Sequence, residues 1–386
     1  MKKIALVNQR YGMEVNGGSE YYTRLLAEKL TRYYEVEVLT TKAASYDTWE
    51  NSYACDEEVI HGVLVRRFAV EKNRNVWQQK ICGKLITVCG LDNKAVNRAW
   101  INAQGPYVPE LLQYIGEKAE DYETFVFITY LYYTTVWGMP KVSKKSVFIP
   151  TAHDEFCIYF SCYRKLFHIP KAVIYLTEEE RDFVHRTFHN ESVPNVVAGV
   201  GVDLPKDIDG ERFREKYGIR GPFLLYTGRV DVNKGCREML QFFLRYRENN
   251  PELQLVIMGQ AFMEITEDES IRYLGYVPEG DKFDGIKAAK ALWLPSRFES
   301  LSISVLEAMA LDKPVIVNGR CEVLKGHCVK SRGGIYYTEY EEFLVGMQRI
   351  FGEGYGQMCQ NAGIYIQEFY AWDRIMENVR AMIEIP

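Results

Sequence analysis

The sequence predicts an α/β chain made of two doubly wound domains, each built on a parallel sheet. Three observations lead there. At 386 residues the chain is longer than one ordinary domain. Short apolar runs alternate with segments whose apolar residues recur at helical spacing, the pattern of repeated βαβ units. That alternation pauses over the charged stretch 203–221, which contains Pro205, Gly210 and Gly218, and then starts again. The pause is where the interdomain linker is placed, giving domains at 1–203 and 204–367.

In the first domain, residues 4–7 read as the opening strand. A polar loop with Gly17 and Gly18 follows, then a helix over 19–32 with Tyr22, Leu25, Leu26 and Leu30 on one face. Residues 36–39 form the next strand. Two short strands, 63–65 and 68–70, flank the Arg66-Arg67 pair. Residues 72–110 are polar, basic and aromatic, and read as mostly helical. Strands follow at 124–129, 147–151 and 172–176. Thr177 and Glu180 have the spacing of a capping box for the helix after them, and residues 196–202 close the domain. The second domain repeats the scheme, with strands at 223–227, 253–258, 271–274 and 291–294 and helices at 237–248 and 302–311. Residues 365–385 read as one terminal helix carrying Trp372.

Composition removes several function classes. A net charge of −5 provides no global basic field for nucleic acid. Nine cysteines occur without a C-x-x-C pair or zinc-site spacing, so buried reduced thiols are expected. The apolar run at 4–7 is too short for a signal peptide, and no stretch has the length of a membrane span. These features fit a cytoplasmic protein, with contact at the inner membrane face only from the surface. The basic stretch from Lys72 to Lys94, with Trp77, Lys80 and Lys84, reads first as a solvated helix face, and contact with an anionic membrane or acceptor is the alternative.

Chemistry concentrates in the second domain. Glu299 and Glu307 lie eight positions apart. Glu299 falls in the loop at the carboxyl end of a strand, and Glu307 falls about two turns into the helix that follows. In an open α/β sheet that crevice is where ligands bind, and the helix N-terminus offers unpaired N–H groups to an anion. Two glutamates at this spacing are also common in ordinary helices. A second loop, 226–235, contains Gly228, Arg229, Lys234 and Gly235 between a strand and a helix. Arg offers a planar fork to phosphate and Lys a mobile point charge, although a solvated loop with two cations is the plainer reading. His153 follows the strand 147–151, where it serves either a ligand or a backbone carbonyl.

Together these segments resemble the retaining glycosyltransferases of the GT-B fold, family 4 in particular. Glu299 and Glu307 match the family's E-x7-E signature, and residues 312–316 match its exit from helix to strand. The sequence departs from the family at Ser302, where a glycine is usual. The resemblance implies two Rossmann-like domains facing across a cleft, with a C-terminal helix, about 368–386, crossing back to the first domain. It implies a hexosyltransferase-type enzyme that moves a sugar from a nucleotide-sugar donor, a UDP-sugar being favoured, to a glycan or lipid-linked acceptor in cell-surface polysaccharide or glycoconjugate synthesis.

It also implies roles for individual residues. Arg229 and Lys234 would bind the donor diphosphate, with Gly17, Gly18, Leu301 and Ser302 contributing backbone. Glu307 would hold the ribose, and the backbone at Tyr276 and Val277 the nucleobase. Glu299 and His153 would face the transferred sugar. No metal or cofactor is implied, and the carboxylates of Asp207-Ile-Asp209 and Asp231-Val-Asn233 are not read as ligands. A nucleotide-sugar epimerase on the same fold and a catalytically silent binding domain are the competing readings.

Overall fold

A computed structural model describes residues 1–15 and 17–386; Asn16, part of the predicted glycine loop, lies outside the described residues. The chain divides into two compact units, Met1–Val200 with Ile375–Pro386, and Gly201–Arg374.

The first unit contains strands β1 (Lys3–Val7), β2 (Glu35–Thr41), β3 (Glu57–Ile60), β4 (Val63–Phe68), β5 (Thr124–Ile128), β6 (Ser146–Ile149), β7 (Ala172–Tyr175) and β8 (Asn195–Val197). They form one sheet in the order β3-β4-β2-β1-β5-β6-β7-β8. All pairs are parallel except β3–β4 at the edge. The central strand β5, Thr-Phe-Val-Phe-Ile, is buried along its whole length, as a strand covered on both faces must be. Its continuous apolar run, with no alternation, follows from that position.

The structure corrects the reading around Arg66-Arg67. The two short strands expected there are one strand, β4, with both arginines inside it. Partners on neighbouring strands make this possible. Arg66 Nε donates to Glu37 on β2 at 2.6 Å, and Arg66 also pairs with Glu57 on β3. Arg67 pairs with Glu58 on β3 and stacks on Tyr53. Glu37 is buried; burial alone would raise its pKa, but Lys3, Arg66 and Tyr122 surround it and hold it below the usual carboxylate value. Strand β3, Glu-Glu-Val-Ile, pairs antiparallel with β4, and its two glutamates add ion pairs to that ladder.

The second unit contains β9 (Phe223–Thr227), β10 (Gln254–Met258), β11 (Ile271–Gly275), β12 (Ala291–Leu294), β13 (Val315–Asn318) and β14 (Gly334–Tyr337). Their order is β11-β10-β9-β12-β13-β14, and every pair is parallel. Sequence order therefore runs outward in both directions from β9 and β12. This topological switch opens a crevice at the carboxyl ends of those two strands. In the first unit the corresponding switch lies between β1 and β5.

Two further expectations change. The stretch 203–221 is not all linker, because Gly210–Tyr217 is a helix of the second unit, capped by Asp209 through the N–H groups of Glu211 and Arg212 and closed by Gly218 at φ 63°. The predicted terminal helix is two helices, Tyr355–Phe369 and Trp372–Ile383. The return to the first unit begins at Ile375. There Lys171 Nζ donates to the carbonyls of Ile383 and Ile385, and Tyr34 donates to Glu384 at 2.7 Å.

Candidate functional site

In the second unit the chemistry gathers around the switch point. β9 ends at Thr227, and Gly228 turns the chain at φ 142°. Gly228 N–H donates to the Met258 carbonyl at the end of β10. The next residues form a tight loop held by Asp231. One carboxylate oxygen of Asp231 accepts from Arg229 Nε; the other accepts from the Lys234 backbone N–H at 2.8 Å. Tyr226 donates its hydroxyl proton to the Arg229 carbonyl at 2.6 Å. Gly235 follows at φ 77°, where an added Cβ would lie 2.3 Å from the Pro295 carbonyl oxygen. Glycine at 235 is thus required both by its backbone angle and by the close approach of the β12 loop.

That close approach joins the two loops. Lys234 Nζ donates to Glu299 Oε1 at 2.7 Å. Arg229, Asp231, Lys234 and Glu299 therefore form one connected network, although Arg229 and Glu299 are far apart in sequence. Asn318, at the end of β13, donates to the Pro295 carbonyl at 3.1 Å and braces the same loop.

After Glu299 the chain turns sharply into the helix Ile303–Ala310. Ser302 sits at φ 74° and ψ 89° with no side-chain cap hydrogen bond. A non-glycine residue in this region is strained, and this is the position where the family usually has glycine. The turn is held from behind by His327. Its Nε2 lies 2.8 Å from the Leu301 carbonyl and must donate to it, which leaves Nδ1 to accept from the Tyr365 hydroxyl at 3.1 Å. His327 is buried, and burial pushes its pKa down to about 4, so it stays neutral.

Glu307 lies on the Ile303–Ala310 helix but belongs to a different contact. It is buried, and Lys282 Nζ donates to its Oε1 at 2.6 Å. Burial raises the carboxyl pKa, and Lys282 opposes that shift. The two glutamates thus have different surroundings: Glu299 is tied to Lys234 on the loop after β9, Glu307 to a lysine on the helix Glu279–Ala288. Tyr276 and Val277 follow β11. Tyr276 is 71% exposed and Val277 is buried. Their strand is tied to the switch-point loops through Gly259, whose N–H donates to the Gly275 carbonyl at 2.7 Å.

In the first unit, Gly17 and Gly18 open the helix Gly18–Leu30. A Cβ on Gly17 would lie 2.1 Å from Glu20 Oε2, whereas Gly18 has open space around it. Glu20 is buried and takes 3.0 Å hydrogen bonds from Gln9 and from Arg10 Nε, with Arg10 Nη2 closer still at 2.6 Å. His153 lies beyond β6, with Nδ1 3.5 Å from Glu155 Oε1. Asp154 accepts from the Tyr159 hydroxyl at 2.6 Å. The two β-branched residues Thr129 (φ 72°) and Thr151 (φ 50°) follow β5 and β6 beside this loop, and their hydroxyls are 3.3 Å apart. Strained backbone at the carboxyl edge of a sheet is a common mark of a ligand site.

Several residues in these arrangements gave no sequence signal. Asp231 carries no signal in the sequence beyond its place in Asp231-Val-Asn233, which does not read as a metal pair. Lys282, His327 and Arg10 belong to no motif. Glu180, recognised as a capping residue, does more than cap. Its buried carboxyl accepts from Leu176 N–H and Ala152 N–H, both at 2.6 Å, and so fixes the backbone next to His153. Asp207 pairs with Arg212 at 2.8 Å, and among the described residues no three His, Cys, Asp or Glu side chains converge as metal ligands would.

Comparison with known proteins finds likenesses for this stretch of sequence and for the fold. Residues 209–327 match the family model described as glycosyl transferases group 1, and this stretch contains the whole Arg229–Glu307 assembly. A glycogen synthase from Thermus thermophilus is 29% identical over 172 residues; the match covers 42% of this chain and 38% of the relative, so the chain spans less than half the length of that relative. An uncharacterized glycosyltransferase from Methanocaldococcus jannaschii is 24% identical over 97% of this chain and 95% of its own. Among solved structures, Anabaena HepE in complex with UDP and glucose superposes with a TM-score of 0.73 at 13% identity, covering 99% of both chains. The fold is that of the GT-B glycosyltransferases, with a Rossmann-like parallel sheet in each unit.

Proposed function

We propose that the protein is a retaining, hexosyltransferase-type glycosyltransferase of family 4 that uses a nucleotide-sugar donor, in particular a UDP-sugar, and a glycan or lipid-linked acceptor. The observation that carries this reading is the network Arg229–Asp231–Lys234–Glu299 at the switch point, inside the stretch that matches the group 1 family. The named ligands of HepE support the choice of UDP.

In this reading the donor diphosphate takes Lys234 from Glu299 and engages the Arg229 guanidinium, whose orientation Asp231 sets. Backbone N–H groups at Leu301 and Ser302, and the loop at Gly17 and Gly18, supply further donors. These groups neutralise charge that grows on the departing diphosphate, and they are already oriented before reaction. Glu299, released from Lys234, orients the sugar hydroxyls and offsets positive charge developing on the ring. His153 contacts the same sugar. Glu307, kept in place by Lys282, accepts from the ribose, and the backbone at Tyr276 and Val277 meets the base. With charge handled by Arg, Lys and N–H dipoles, turnover needs no divalent ion.

Release of free nucleoside diphosphate from a panel of UDP-, GDP- and ADP-sugars, with and without EDTA, tests the proposal. A transferase releases diphosphate only with acceptor or water. An epimerase interconverts sugars without net release, and a silent domain does neither. Turnover that stops on chelation and returns with magnesium would remove the metal-free mechanism.

A further inference from the structure

The helix Val76–Thr87 in the first unit shows solvent the wrong kind of face. Its inner side packs normally, with Cys82 and Ile86 in the core and Gly83 close against Trp100. Trp77, Ile81, Lys84 and Val88 are spaced i, i+4, i+7 and i+11, so they share one stripe. That stripe points outward: Trp77 is 79% exposed, Ile81 44% and Val88 79%. A helix whose outer face only needs solvation carries charges there, and an exposed apolar cluster marks an interaction surface.

On the helix itself the charge is of one sign. The helix contains no Asp or Glu. Lys80 and Lys84 interleave with the apolar residues, and among the described residues neither pairs with a carboxylate. Beside the helix is a cavity of about 390 Å³ rimmed by Lys72, Asn73, Asn75, Gln78, Arg98 and Asn102. Lys72 lies over the Tyr107 ring and Arg98 over the Trp137 ring, and neither of these cations pairs with a carboxylate among the described residues. Of the acids flanking this stretch, Asp92 is taken up by Ser161 and Asn97.

We propose that this face docks on an anionic lipid surface. Trp77, Ile81 and Val88 would enter the headgroup boundary while Lys80 and Lys84 meet lipid phosphates, the arrangement of an interfacial helix. A second copy of the chain fits less well, because a two-fold contact through this stripe sets lysines against lysines. Nucleic acid fits less well because aliphatic residues occupy the positions facing outward. The proposal does not depend on the donor chemistry, and its test is read without turnover.

The experiment is co-sedimentation of the full chain with vesicles of phosphatidylcholine, with and without phosphatidylglycerol. Binding is expected only to the phosphatidylglycerol vesicles, weakening as salt rises. Lys80→Ala and Lys84→Ala should each weaken it about fivefold, and Trp77→Ser should weaken it further with unchanged thermal unfolding. Quenching of tryptophan fluorescence by brominated lipid should vanish in Trp77→Phe. Failure of the wild-type chain to bind phosphatidylglycerol vesicles overturns the proposal, as does binding that survives all three substitutions. Lipid-free self-association that Trp77→Ser abolishes assigns the face to a second copy and overturns it too.

Discussion

Replacing Glu299 by Gln separates its two proposed roles because the structure gives them opposite signs. The substitution keeps the shape of the side chain and removes one charge. In the structure Glu299 holds Lys234 at 2.7 Å, with the lysine side chain 32% exposed and the glutamate 16%. A pair this close to solvent contributes about 0.2–1 kcal/mol. A diphosphate that needs Lys234 competes with that contact, so its loss should leave UDP affinity unchanged or raise it by up to about fivefold. Turnover should move the other way. Removing one electrostatic stabiliser of a transition state costs about 100- to 1000-fold in kcat, and the loss should appear in kcat and in kcat/KM together. Calorimetric titration with UDP and single-turnover measurement of diphosphate release give the two quantities separately. Weakened UDP binding with preserved turnover would refute the reasoning and move Glu299 from the sugar to the phosphate.

Three further substitutions probe other parts of the structure. Glu307→Gln should weaken UDP and donor by similar factors, about tenfold, through loss of a charge-assisted hydrogen bond, with kcat little changed; titration of both ligands checks it. Ser302→Gly removes backbone strain of about 1–2 kcal/mol at φ 74° and adds about 0.5–1 kcal/mol of chain entropy to the unfolded state, so the net effect is stabilising, and a lowered Tm in calorimetry would contradict it. Glu180 is pushed up to about 8 by burial, which outweighs its backbone N–H donors. Between its unfolded value near 4.5 and 8 the folded protein holds the extra proton, so stability should fall as pH rises, by at most about 1.4 kcal/mol per unit; Glu180→Gln should flatten that slope in denaturant titrations across the window.

The alternating architecture and the candidate site loops are legible in the amino-acid order alone. Short continuous apolar runs bounded by turn residues, such as Phe223–Thr227, read as strands buried on both faces, and Gly228, Arg229, Lys234 and Glu299 lie in the loops that follow such strands. These are local signals, set by neighbours within a few residues. Pairing across the sheet is not local and becomes visible in the folded chain. Strand β4 keeps two arginines because Glu37, Glu57 and Glu58 come from other strands to meet them. Lys234 is joined to Glu299 because β9 and β12 are neighbours across the switch point, which makes Gly235 obligatory against Pro295. Lys282 reaches Glu307 and His327 reaches Leu301 for the same reason. Periodicity records which face of an element is buried, but it does not record which distant charge will be waiting there. Burial of a polar group requires a partner, and the fold alone decided which residue supplies it.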